Sequence, residues 1–233
     1  MGLLIAAGIT IALVWCGVAF LFMHARDWRP LALAFLIALP LQPLVFHLVR
    51  LPIDGFLRTT YGIVGWATIA SLFYASLTEE PAKWLGMAVP AVRHGIKSAP
   101  VGCALAAGAG FGLGEIGFLA HALVSSPGFP DLPFWMFSGF MLERLAVCFL
   151  HGAFLVPPFV AYACGRSFWL GGFIGMALHF LLNFPIFLAQ IDLFGWGPTG
   201  WTIALVLWML GFVLGCILMV RRLSRATVAT SGP

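Results

Sequence analysis

Long apolar stretches separated by short polar breaks run the length of the chain, and their spacing predicts about seven membrane-spanning helices. The stretches lie near residues 3–23, 30–49, 66–90, 99–123, 140–164, 168–190 and 199–220. Phe134 to Phe140 either extend the fifth helix or lie flat at the interface. The third stretch breaks the apolar pattern. It contains Ser76-Leu77-Thr78-Glu79-Glu80-Pro81-Ala82-Lys83-Trp84, two adjacent acids and a lysine inside a span. A charge near the bilayer centre costs about 2.5–3.5 kcal/mol, and each Leu, Ile or Phe returns only about 0.3–0.6 kcal/mol. Insertion does not explain these three residues, and chemistry is the leading candidate.

Composition agrees with the pattern. Of 233 residues, 62% are hydrophobic and 9% charged, and the mean hydropathy is +1.04. No soluble domain hides that much apolar surface, so the fold class is an all-α polytopic membrane bundle. The chain reads as one transmembrane domain, residues 1–233, with its motif-bearing core at 66–190. Arg26 and Arg29, then Arg93 and Lys97, then Arg166, then Arg221, Arg222 and Arg225 fall on one side. Arg50, Asp54 and Arg58, then Asp131, then Asp192 fall on the other. The positive-inside rule places the N-terminus outside and the C-terminus in the cytoplasm. Trp28, Trp135, Trp169, Trp196 and Trp201 sit where an aromatic belt would place them.

The net charge of +4 is spread over short loops, which excludes a nucleic-acid face. Cys16, Cys103, Cys148, Cys164 and Cys216 lie in or at the ends of apolar runs without CxxC pairing, so they read as packing residues. The N-terminus lacks the positive region of a cleaved signal, and the first span reads as retained. Arg221, Arg222 and Arg225 read as topology anchors meeting anionic lipid. Every loop is short, so any machinery must lie within the bundle. Short loops and the cytoplasmic arginine bias fit a prokaryotic inner membrane.

Polar residues then converge in depth. Measured along each helix at ~1.5 Å per residue, Glu80 lies ~15 Å from its cytoplasmic end, Glu115 ~22 Å, His151 ~20 Å, His179 ~17 Å and Asn183 ~22 Å. Lipid-facing positions would scatter, whereas a shared site would not. His179 and Asn183, four residues apart, share a helix face, and Asn183 is the sole asparagine in the chain. Glu79 and Lys83 are also four apart and are expected to pair, leaving Glu80 free to work. Arg144 and His151 line one stripe of the fifth helix, with Glu143 or a backbone carbonyl as partner for Arg144. Gly108, Gly110, Gly112 and Gly114 make the fourth helix thin enough for close helix approach. Packing is favoured over a phosphate loop there, because neither a Walker lysine nor a preceding strand exists.

Glu79-Glu80-Pro81-Ala82-Lys83-Trp84 resembles the EExxK(W) signature of PrsW-type intramembrane proteases, which belong with the CAAX prenyl endopeptidase and bacteriocin-processing superfamily. Phe111-Gly112-Leu113-Gly114-Glu115 is similar to the second motif, FxxxE in the PrsW branch and FxxxH in the CAAX branch. His151 matches the lone histidine of a later helix, and His179-Phe180-Leu181-Leu182-Asn183 matches the closing HxxxN/D. The motifs run in order over residues 79–183, roughly half the chain. Ile116 departs from the pattern, since asparagine often follows the second-motif glutamate in PrsW-like chains. The YhfC-type membrane proteins also share the double glutamate. The resemblance implies an endopeptidase acting on membrane-embedded or membrane-tethered protein substrates, within or at the edge of the bilayer.

Peptide hydrolysis needs an activated water, an oxyanion stabiliser and a proton donor for the leaving amine. Glu80 is the expected base and Glu79 a second acid or support. His151, His179 and Asn183 would stabilise the oxyanion, with Glu115 orienting a histidine. Alternatively, His151, His179 and Glu115 would hold zinc with an open position, although no HExxH spacing specifies it. Two other classes use the same residues. A proton- or ion-coupled transporter also needs midplane acids, histidines and interrupted helices. An assembly factor would need only the Gly-rich face.

Overall fold

The computed structural model describes residues 1–61, 65–124 and 132–230, which form helices and no strand. α1 (Gly2–His24) precedes α2 (Arg29–Ala38), where Pro30 presets the first turn. α3 (Leu41–Val45), a π-helical turn at Phe46–Arg50 and α4 (Leu51–Tyr61) continue the same path. α5 spans Gly65–Lys83 and tightens into a 3₁₀ turn at Trp84–Ala88 before the short α6 (Pro90–Ser98). α7 (Pro100–Val124), α8 (Ser138–Ala163), α9 (Phe168–Gln190) and α10 (Gly197–Thr230) complete the bundle.

Six helical stretches among the described residues are long and apolar enough to cross a membrane: α1, the path from α2 to α4, and α7 through α10. α8 enters through a 3₁₀ turn at Phe134–Phe137, so these residues join the fifth expected span as a tighter lead-in. α5 is not among the six, since Glu79, Glu80 and Lys83 crowd its last five residues. The expected third span at 66–90 also ends early. Pro81 cannot donate to the Leu77 carbonyl, and the helix stops at Lys83.

A second difference concerns Arg50 and Asp54, expected in an outer break. The helical path runs on to Tyr61 and carries both on α4's approach to α5. Asp131, assigned to the same side from sequence, lies outside the described residues. Asp192 does occupy a turn, where its carboxylate accepts from the Trp201 indole at 2.6 Å and from the Gly197 amide at 3.2 Å. Trp201, expected in the interfacial belt, is therefore buried.

α7 lies between α2 and α8, and its glycines make that position reachable. A Cβ on Gly110 would strike the Phe35 carbonyl of α2, and one on Gly108 would strike the Gly152 backbone of α8. Lipid tails are as apolar as leucine, so close backbone packing of this kind holds the helices together. The main core follows: Phe35, Ile96, Phe111, Ile116, Leu155 and Phe159 are all buried around α7 and α8. This packing fixes Glu115 on α7 opposite Arg144 and His151 on α8.

Candidate functional site

Three charged residues come from the last turns of α5. Ala75, Ser76, Glu79, Ala82 and Lys83 turn one face inward, and Glu80 has no exposed surface at all. Burying a carboxylate without a partner is prohibitive, so each must be paired. The structure pairs every one.

Glu80 is the hub. Its Oε1 accepts from the Lys83 ammonium at 2.5 Å and from His179 Nδ1 at 2.7 Å. Its Oε2 is buried with no hydrogen-bonding partner among the described residues. Lys83 also donates to His151 Nδ1 at 2.9 Å. That bond leaves His151 Nε2–H to donate to Glu115 Oε2 at 3.0 Å, which fixes the ring's tautomer. Arg144 sits 3.0 Å from Glu115 Oε1 and donates to Glu143 at 2.6 Å. On the other flank Arg50 donates to Glu79 Oε1 at 2.5 Å, and Glu79 Oε2 lies 3.8 Å from His179 Nε2. Beyond Arg50, the Tyr74 hydroxyl donates to Asp54 at 2.6 Å.

Aromatic rings enclose the chain of charges. The Lys83 ammonium lies 4.7 Å from the Phe111 ring centre, close enough for a cation–π attraction that strengthens away from water. Phe154 stacks on His179 at 5.5 Å, and Phe111 meets His151 edge-on at 5.0 Å. The two imidazoles are 5.8 Å apart. The buried acids Glu79, Glu80 and Glu115 are matched by Arg50, Lys83 and Arg144. With neutral imidazoles these six groups carry no net charge, and the half-exposed Glu143 adds one acid at the edge beside Arg144. The cluster meets the exterior at its two ends, where the side chains of Glu115 and Arg50 are 21% and 23% exposed.

Five of the six residues singled out from sequence thus meet in one network: Glu79, Glu80, Glu115, His151 and His179. Asn183 does not join it. Half-buried on α9, it makes no side-chain hydrogen bond among the described residues. The expected pairing inside α5 is also corrected. Lys83 binds Glu80 three residues back, and Glu79 takes Arg50 from another helix. Arg50 escaped the sequence reading because its segment read as a loop. The signal was the four-residue spacing of Arg50 and Asp54, which would share a face if helical.

The donor set does not fit a metal. Among the described residues no group of three His, Cys, Asp or Glu side chains could hold one. Both nitrogens of His151 are engaged, and the Lys83 ammonium lies against both His151 and Glu80. A dication at His151, His179 and Glu115 would meet that positive charge at close range. Comparison of the chain with protein-family models, with curated proteins and with solved structures finds no match in any of the three.

Proposed function

We propose that this chain is an intramembrane endopeptidase of the PrsW-like kind, using a glutamate-activated water. In this reading α5 is the third of seven spans, the N-terminus lies outside and the arginine-rich C-terminus in the cytoplasm of a prokaryotic cell. The observation that carries the proposal is the hydrogen-bonded meeting of Glu80, Lys83, His151, His179 and Glu115, drawn from α5, α7, α8 and α9. Ionisable residues inside a membrane are expensive and mark function.

Each group then has a task. Glu80 takes a proton from water as its oxygen attacks the scissile carbonyl carbon, and returns that proton to the amine nitrogen as the C–N bond breaks. Lys83 and His179 flank Glu80 and offer N–H groups to the developing oxyanion. Glu115 holds the His151 ring, and Arg50 holds Glu79 beside His179. Because Glu80 is fully buried, α5 must separate from α9 for a peptide to reach it.

A second reading has its own support. The hydrogen-bonded series from Glu115, whose side chain is 21% exposed, through His151 and Lys83 to Glu80 offers a path for protons. A proton-coupled carrier would use such a path. Purified protein in liposomes separates the two. The protease cleaves a membrane-tethered peptide and loses that cleavage in Glu80→Gln. The carrier shows Glu80-dependent proton flux with the peptide intact, and that outcome would overturn the protease reading.

A further inference from the structure

The end of the bundle where α8 stops, α9 starts and α10 runs past both contains a second feature unrelated to the charged cluster. A cavity of 670 Å³ opens there between the three helices, walled by Val160, Leu170, Ile174 and Leu218 and rimmed by Arg166 and Arg222. A second cavity of 490 Å³ continues along α10 toward Leu178 and Trp208. The two share Gly215 and Met219, so they form one furrow. Its floor is open because a side chain at Gly211 or Gly215 would meet nothing within 4 Å.

The furrow is polar at one end only. Neither Arg166 nor Arg222 has an acidic partner among the described residues, and the sequence explains why. From Arg144 to Pro233 the chain contains one acid, Asp192, which lies at the opposite end of α9. From Leu207 to Arg222 the furrow follows α10 for about 22 Å. One leaflet with its headgroups is roughly 20–22 Å deep. Length, apolar walls and unpaired cations at a single end all match one class of amphiphile.

We propose that this furrow binds an anionic phospholipid, with its phosphate between Arg166 and Arg222 and an acyl chain over Gly215 and Gly211. Basic pockets between membrane helices suit acidic headgroups. The proposal is independent of the protease reading, and its test uses no activity.

Full-length protein released in detergent is incubated with phosphatidylglycerol and phosphatidylcholine of identical acyl chains, and retained lipid is weighed by native mass spectrometry. Two arginines should give phosphatidylglycerol a preference on the order of 30-fold. Arg166→Gln with Arg222→Gln should abolish the preference. Gly215→Leu, which fills the furrow and spares both arginines, should reduce retention of phosphatidylglycerol. Unchanged melting temperatures show that the variants fold. Equal retention of the two lipids, or wild-type retention by the Gly215→Leu variant, overturns the proposal. So does complete displacement of the lipid by millimolar inorganic phosphate, which would mark a phosphate site instead.

Discussion

α8 and α10 are both long apolar helices, and α10 is the more apolar of the two. Yet 72% of the apolar stretch of α8 is buried inside the protein, against 6% for α10. The difference lies in what interrupts the apolar sequence. α8 carries Arg144 and His151, which must find partners away from lipid, and Gly152, which lets α7 approach. α10 has no charged residue before Arg221, and Gly211 and Gly215 in its middle face open space. Hydropathy therefore identifies both as membrane helices without ranking them. Position inside the bundle follows from polar side chains and small residues, because lipid offers apolar surfaces the same welcome that protein does.

The sharpest way to test this contrast is at the hub reached by α8. Glu80→Gln should lower cleavage of a membrane-tethered peptide by about 10²–10⁴-fold, measured on folded protein in liposomes. A loss under tenfold would remove Glu80 from the chemistry. Lys83→Met leaves the Glu80 carboxylate buried and uncompensated, and should destabilise by about 3–5 kcal/mol. Adding Glu80→Gln to it should restore part of that loss, which equilibrium unfolding in mixed micelles would read as coupling. If the double variant is simply additive, the two groups are not partners.

Smaller effects probe the packing itself. Gly108→Leu forces a side chain into the Gly152 backbone and should cost at least about 1–3 kcal/mol. Gly211→Leu on α10 should stay within about 0.5 kcal/mol. Equal melting temperatures for these two variants would erase the contrast between buried and lipid-facing helices. Arg50→Gln belongs between these. It removes the hydrogen-bond donor of the buried Glu79 and should cost about 1–3 kcal/mol, and an effect under about 0.5 kcal/mol would show that Arg50 does not hold Glu79.

Much of the architecture was legible in the apolar pattern, since α1, α7, α8, α9 and α10 fall close to their expected spans. The Gly-rich stretch around Gly108 and Gly110 was read correctly as a close-approach surface. The meeting of Glu80, His151 and His179 followed from depth along straight helices. What that reasoning lacked was the fine geometry. Depth from Pro90 presumes an unbroken helix, but α5 stops at Lys83 and a 3₁₀ turn follows, and Lys83 reaches Glu80 rather than Glu79. Arg50 was hidden by Pro52 and Gly55, residues that usually mark a turn yet lie here within a continuous helix. Asn183 has the right spacing from His179, but it is only half-buried and makes no side-chain hydrogen bond among the described residues. Spacing along one helix identifies a shared face; the neighbour that this face meets depends on the whole bundle.

The pairing of three buried acids with three cations also bears on energised membranes. α5 carries Glu79, Glu80 and Lys83, a net charge of minus one, while Arg50, Glu115 and Arg144 sit on other helices, so a shift of α5 along the membrane normal moves charge through the transmembrane field. Opening of the seam should then run at different rates in polarised and depolarised vesicles.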